Sequence, residues 1–181
     1  MLILFWGCYK VIILVLQCVK VQEIIVIAHN IRSAHNIGSI FRTCEGFGVT
    51  KIIISGYSPY PKLPTDSRLP HQIDKLTEQI HKTALDAEII VPFEQQNNID
   101  INRLKEQGYR IVGLEQDIRS IKLNEYQVPE KIALILGEEV HGIADYLRDQ
   151  CDDLVEIPMF GQKESFNVSV AAGIALYALT I

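Results

Sequence analysis

Along its hydrophobic and polar positions, the chain alternates short continuous apolar runs with stretches of helical spacing. Residues 23–28 (EIIVIA) are apolar almost throughout, as a strand covered on both faces must be. In residues 36–45, Ile37, Ile40, Phe41 and Cys44 fall on one helical face, and Gly46 and Gly48 end that helix. Residues 51–55 are the next buried run. Two such strands joined by a helix form a βαβ unit, which implies a parallel sheet with a right-handed crossover. The same reading predicts helices over 71–84, 97–107 and 145–150, and strands over 87–91, 109–114, 132–136 and 154–157. No internal repeat or low-complexity linker interrupts the alternation. The expected fold is therefore one α/β domain over residues 23–181, a mostly parallel sheet with flanking helices.

The pattern converges on residues 157–170. Pro158 ends the preceding strand because it has no N–H, Gly161 permits a sharp turn, and Ser165 stands where a helix N-cap is expected. Residues 168–179 are apolar or small with few exceptions, and carry no charge. A helix without a polar face has to be buried on all sides. One flank can cover the sheet, and the other is expected to meet a second subunit. Polar residues crowd into the loop and first turn, where free backbone N–H groups can hold a ligand. A cofactor site beside a dimer interface is the expectation.

Residues 1–22 form an apolar N-terminal extension, with Lys10 the only charge among the first 19. Three readings compete: a membrane anchor or uncleaved signal, an additional core element, or an extension outside the fold. The third is preferred because a complete α/β domain begins at Glu23, so a membrane partner is not expected. The chain of 181 residues is 48% hydrophobic and 22% charged, the balance of a globular protein with a full core. Its net charge of −5 is unevenly spread: residues 30–82 hold seven Lys or Arg against four acids, whereas 83–156 hold seven against sixteen. The acidic total argues against a nucleic-acid partner, and the basic first part restores one locally. Cys8, Cys18, Cys44 and Cys151 form no C-x-x-C pair and read as reduced thiols of a cytosolic protein. Four prolines between 59 and 70 exclude a helix or central strand there. With Tyr57, Tyr60, Lys62 and Arg68 among them, they make either a stiff surface loop or a substrate-facing arm.

Familiar phosphate and hydrolase motifs are missing. Gly46-Phe47-Gly48 has no third glycine, and Gly137 and Gly142 are followed by Ile143-Ala144 where a Walker motif needs Lys-Ser/Thr. There is no G-x-S-x-G or H-E-x-x-H, and the five histidines lack metal-ligand spacing, so no metal is expected. Three polar segments remain, 29–42, 137–142 and 157–167, each at the C-terminal end of a predicted strand, where open α/β sheets bind ligands.

In this order the three segments resemble the signature of the SpoU/TrmH class of SPOUT, or α/β-knot, RNA methyltransferases. The first carries Asn36, Gly38, Arg42 and Thr43. The second carries Gly137, Glu139 and Gly142. The third carries Ile157, Pro158, Met159, Ser165, Asn167 and Ser169. The resemblance covers nearly all of the chain from Glu23 onward. Residues 1–22 have no counterpart in it, and the chain stops at Ile181 directly after the helix, which leaves a missing short tail open. With no separate RNA-binding domain, the chain is similar to minimal members that rely on a dimer.

The resemblance implies a deep trefoil knot in the C-terminal segment and S-adenosylmethionine bound in the knotted loops. Leu114, Gly137, Glu139, Ile157, Met159 and Ser165 are the expected cofactor-binding residues. It further implies methyl transfer to a ribose 2′-hydroxyl of tRNA or rRNA by a cytoplasmic homodimer. Arg42, Asn36, Ser165 and Asn167 are the expected catalytic residues, and Arg32, Arg42, Lys62 and Arg68 the expected RNA contacts. The attacking hydroxyl must lose a proton while sulfur, methyl and oxygen are held in line. Guanidinium is a poor base, so Arg42 is expected to stabilise the developing oxyanion and grip the adjacent phosphate. Asn36 and Ser165 can also be helix caps. Glu139 either ties down the loops or approaches the acceptor, and His35 and His141 flank the motifs. The alternative from another class is a non-catalytic knotted RNA-binding protein.

Overall fold

The structure, a computed structural model, describes residues 22–181; the readings placed on residues 1–19, with Cys8 and Cys18, lie outside the described residues. Seven strands form one sheet: β1 (Glu23–His29), β2 (Lys51–Ser55), β3 (Phe93–Gln96), β4 (Arg110–Leu114), β5 (Ile121–Lys122), β6 (Lys131–Leu136) and β7 (Asp153–Glu156). Their order is β3-β2-β1-β6-β4-β7-β5, and every pairing between them is parallel. The helices are α1 (Ala34–Gly46), α2 (Pro70–Ala84), α3 (Ala87–Ile90), α4 (Ile101–Glu106), α5 (Asp145–Arg148) and α6 (Val168–Thr180).

The two-residue alternation of a strand divides the apolar residues between the faces of the sheet. Ile24, Val26 and Ala28 of β1 join α1, α2, α3 and α6 in one core. Ile25 and Ile27 join α4, α5 and Tyr109 in the other. With both faces covered, the central strands are apolar beyond their charged first residues Glu23, Lys131 and Arg110, apart from His29 at the end of β1.

One expectation about elements needs correcting. Residues 87–91 are a single helical turn, α3, and the strand lies beyond Pro92 at Phe93–Gln96. A short apolar run does not distinguish a strand from one turn of helix. Here the left-handed pair Leu85 and Asp86 (φ 51° and 73°) ends α2 and starts α3, leaving Ile89 and Ile90 exposed. Helix α6 buries Val168, Ala172, Ala175, Leu176 and Leu179, while Val170, Ile174 and Tyr177 on the opposite flank, the one expected to meet a second subunit, are exposed in the single chain. The two-residue edge strand β5 has no apolar signal, and the sequence reading does not contain it.

Cys44 is buried and Cys151 half-buried, and both are free thiols; burial pushes the Cys151 thiol up to about 11. Among the described residues, no helix is long and apolar enough to cross a membrane.

Candidate active site

Because β2, β1, β6, β4 and β7 are parallel neighbours, the loops after them emerge at one edge. A cleft opens there, lined by Leu114, Glu115 and Gln116 after β4, by Gly137 and Glu139 after β6, and by Ile157 and Ser165 after β7.

The turn after β6 is fixed by close packing. Glu138 and Gly142 exchange both backbone hydrogen bonds, at 3.0 and 2.9 Å. Gly142 has φ +67°, and a Cβ on it would lie 2.1 Å from Glu115 Oε2. That same oxygen accepts from the Ile143 N–H at 2.6 Å. A Cβ on Gly137 would lie 2.4 Å from the Gly142 carbonyl carbon. Both glycines are therefore required by space, and Glu115 ties the turn to the end of β4. Gln116 joins the third loop by donating from Nε2 to the Glu164 carbonyl at 2.8 Å. The sequence reading stopped at Leu114 and missed both residues, although their position directly after a buried strand was a usable signal.

Three side chains meet at the rim, from the first turn of α1, the turn after β6 and the cap of α6. Glu139 accepts from the Asn36 amide (Nδ2 to Oε1, 2.9 Å) and from the Arg32 backbone N–H (3.1 Å). Asn167 donates from Nδ2 to Asn36 Oδ1 at 3.2 Å, and its own Oδ1 accepts from the Ser169 N–H at 2.9 Å. The chain of bonds fixes which way both amides point. Burial pushes the Glu139 carboxyl up, but the bonds from Arg32 and Asn36 outweigh it and hold its pKa below the ordinary value. Glu139 is thus ionised at neutral pH. With Glu115, Glu138, Glu156 and Glu164 also lining the cleft, and no Lys or Arg among its lining, the pocket is acidic.

Of the expected cofactor residues, Leu114, Gly137, Glu139, Ile157 and Ser165 line the cleft and Met159 does not. Ser165 is not the cap of α6; Asn167 is, two residues later, because its side chain reaches the Ser169 N–H. The cap of α1 is Ser33, which accepts from the Asn36 N–H at 3.3 Å and leaves the Asn36 side chain free for Glu139.

Arg42 is not in the cleft of its own chain. It lies two turns along α1, exposed, in a shallow depression with Thr43, Phe47, Gly173, Ile174 and Tyr177, beside the open flank of α6. Arg32 and Lys62 are exposed. Arg68 is occupied by its own loop: it pairs with Asp66 at 2.5 Å, donates to the Tyr60 carbonyl at 3.0 Å, and stacks 3.6 Å from the Tyr60 ring centroid. His35 is exposed, and His141 lines the cleft.

Away from the cleft, the fold brings His81 to Asp86 and Glu88, a grouping the spacing of histidines did not suggest. His81 Nδ1 lies 2.7 Å from Glu88 Oε1, which makes the pair an internal ion pair across the α2–α3 junction when His81 is protonated.

The sequence model of the SpoU rRNA Methylase family matches residues 23–177. The 23S rRNA (guanosine-2′-O-)-methyltransferase RlmB of Nitrosomonas europaea is 33% identical over 156 residues, covering 85% of this chain and 54% of that protein. The Neisseria meningitidis RlmB is 32% identical over 164 residues, covering 90% of this chain and 60% of that protein. The chain thus spans little more than half the length of these two relatives. Among solved structures, an AdoMet-bound rRNA methyltransferase from Sinorhizobium meliloti superposes with a TM-score of 0.72 at 22% identity, covering 87% of this chain and 55% of that one. The A. aeolicus TrmH/SpoU tRNA modifying enzyme superposes with a TM-score of 0.67 at 26% identity, covering 94% and 82%. With the family model spanning the whole sheet and most of α6, the chain belongs to the SpoU rRNA Methylase family.

Proposed function

We propose that this chain is an RNA 2′-O-ribose methyltransferase that uses S-adenosylmethionine and acts on tRNA or rRNA in the cytoplasm. The observation that carries the reading is the bonded set Glu139–Asn36–Asn167, which stands at the rim of a cleft formed by Leu114, Gly137, Ile157 and Ser165. The names of the relatives and of the A. aeolicus structure support the same chemistry.

The cleft suits this cofactor in charge and shape. An acidic lining favours a ligand with a net positive charge, and a sulfonium bearing an amino group is one. The tight turn held by Gly137 and Gly142 forms one wall of the cleft. Leu114 and Ile157 offer apolar contact, while Ser165 and the loop backbone offer polar contact. When bound, the cofactor supplies an electrophilic methyl group.

The chain's own residues then have to orient a ribose and manage its proton. Each amide NH2 has two donors, and one on Asn36 and one on Asn167 are already used. The second donor of each is left for the acceptor. Ionised Glu139 anchors that pair. Arg42 stabilises the oxygen that becomes charged and grips the neighbouring phosphate.

Arg42 is displaced from the cleft of its own chain, so we assign it to the cleft of a second copy. The exposed flank Val170, Ile174 and Tyr177 repeats at helical spacing beside Arg42, and pairing of two α6 flanks would cover it. The strand order also favours the trefoil knot. β6 lies between β1 and β4, β7 lies beyond β4, and α6 returns to α1. An experimental trace of residues 131–181 that did not thread a loop would overturn the knot.

The test of function is transfer of labelled methyl from S-adenosylmethionine to unmodified tRNA and 23S rRNA transcripts, with the product nucleotide mapped by mass spectrometry. Ribose-methylated product supports the reading. Micromolar binding of S-adenosylhomocysteine with no transfer to either RNA, or methylation of a base instead of a ribose, would count against it.

A further inference from the structure

Resting on the methyltransferase reading, we infer that Tyr57 is a stacking platform for an unpaired base of the RNA, next to or including the acceptor nucleotide. β2 ends at Ser55, so residues 56–58 emerge at the same sheet edge as the loops of the cleft. Tyr57 is 56% exposed, which is unusual for a ring that packs into a core.

The backbone around it is held from both sides. Asn30 adopts the left-handed conformation (φ 57°), its N–H donates to the Ser55 carbonyl at 3.2 Å, and its Oδ1 accepts from the Tyr57 N–H at 3.3 Å. Gly56 has φ +64°, and a Cβ there would lie 1.9 Å from Asn30 Oδ1, so no other residue fits under this bond. On the far side, Ser58 is buried, accepts from the Ile31 N–H at 2.8 Å, and donates to the Ala28 carbonyl at 3.0 Å. A non-glycine residue in left-handed geometry costs free energy and persists where its surroundings hold it. The turn is therefore a rigid mount for an exposed aromatic ring.

The ring is also aimed at the right place. Glu138, which lines the cleft, Glu139 and Arg32 are the charged groups whose fields reach its hydroxyl. Anchoring at the backbone keeps the ring in position and leaves a face for a base. Single-stranded RNA is recognised by such faces beside a cation that meets its phosphate. Arg32 is that cation, and its backbone N–H is bonded to Glu139 at 3.1 Å.

The test uses the full chain and a short single-stranded oligoribonucleotide carrying 2-aminopurine, whose fluorescence falls on stacking, beside turnover on unmodified tRNA and 23S rRNA transcripts. Tyr57→Phe is expected to keep the quench and most of the turnover. Tyr57→Ala is expected to lose the quench and roughly tenfold or more of kcat/KM for RNA. Its affinity for S-adenosylhomocysteine should not change. Asn30→Gly keeps the left-handed backbone but removes the anchor, so it should lower the quench without unfolding the protein. Wild-type protein that binds and methylates RNA, with the same quench in Tyr57→Ala, overturns the inference alone. Wild-type protein that binds no RNA overturns the methyltransferase reading and this inference with it.

Discussion

Asn36 has both ends of its amide held, one by Glu139 and the other by Asn167, and its neighbours have few ways to move independently. Asn36→Asp would place a second carboxylate against Glu139. It should reduce turnover sharply at neutral pH and lower stability by about 1–3 kcal/mol, read by denaturant unfolding. A variant with unchanged turnover would remove Asn36 from the site. Arg42→Lys keeps the charge and loses the planar fork. It should lower kcat by roughly a hundredfold while S-adenosylhomocysteine binds as before; near-normal kcat would show that a point charge suffices. The residue types of the site were legible in the sequence because Asn36, Glu139, Ser165 and Asn167 fall in the three segments that resemble the SpoU/TrmH signature. Their bonds were not. Asn36 and Asn167 are separated by 131 positions, and no local pattern says that their amides meet. Ser165 was mistaken for the cap of α6 because Ser and Asn are both good caps and stand two positions apart.

Helix α1 carries Asn36 near its first turn and Arg42 two turns later, on a different side. One element thus serves the cleft of its own chain and the surface beside α6. Placing a charge on that surface, Ile174→Glu, should shift sedimentation from dimer to monomer and abolish turnover; a dimer that persists would put the interface elsewhere. A mixed dimer of an Arg42→Ala chain and a Gly137→Ala chain should regain activity that neither homodimer has, because one of its two composite sites is intact. At the α2–α3 junction, His81 is bonded to Glu88, and that bond followed by the carboxylate's charge raises its pKa above 6.5. A raised folded pKa means this stabilisation is fully present below pH 6.5 and is lost as pH rises through the folded value. The urea midpoint should therefore fall across that interval, and His81→Gln should flatten the fall. The elements most legible in the sequence were the buried ones: β1, β2, β4, β6 and α1 follow directly from runs and periods. The strand near residue 90 was misplaced because α3 buries only Ala87 and Glu88 in its single turn, too little to show a helical period.

At the scale of the whole molecule, the all-parallel sheet explains why one edge carries everything. Strands that run the same way deliver their ends to the same side, however far apart they lie in the chain. Of the four basic residues expected to contact RNA, Arg32, Arg42 and Lys62 are exposed, and Arg68 is held by Asp66. RNA affinity should fall as salt rises, with a slope of about two to three for contacts of this number. Affinity independent of salt would place the RNA elsewhere. The net charge of −5 alone argues against such a partner, whereas its uneven spread, seven bases against four acids in residues 30–82, leaves room for one. The bond from Asn167 to Asn36 has one more consequence, for biosynthesis. Asn36 is made 131 residues before Asn167, so the rim cannot close until the strands between them have been synthesised. A product truncated ahead of Asn167 would carry all seven strands of the sheet and lack the bond that joins the first and last of the three motifs.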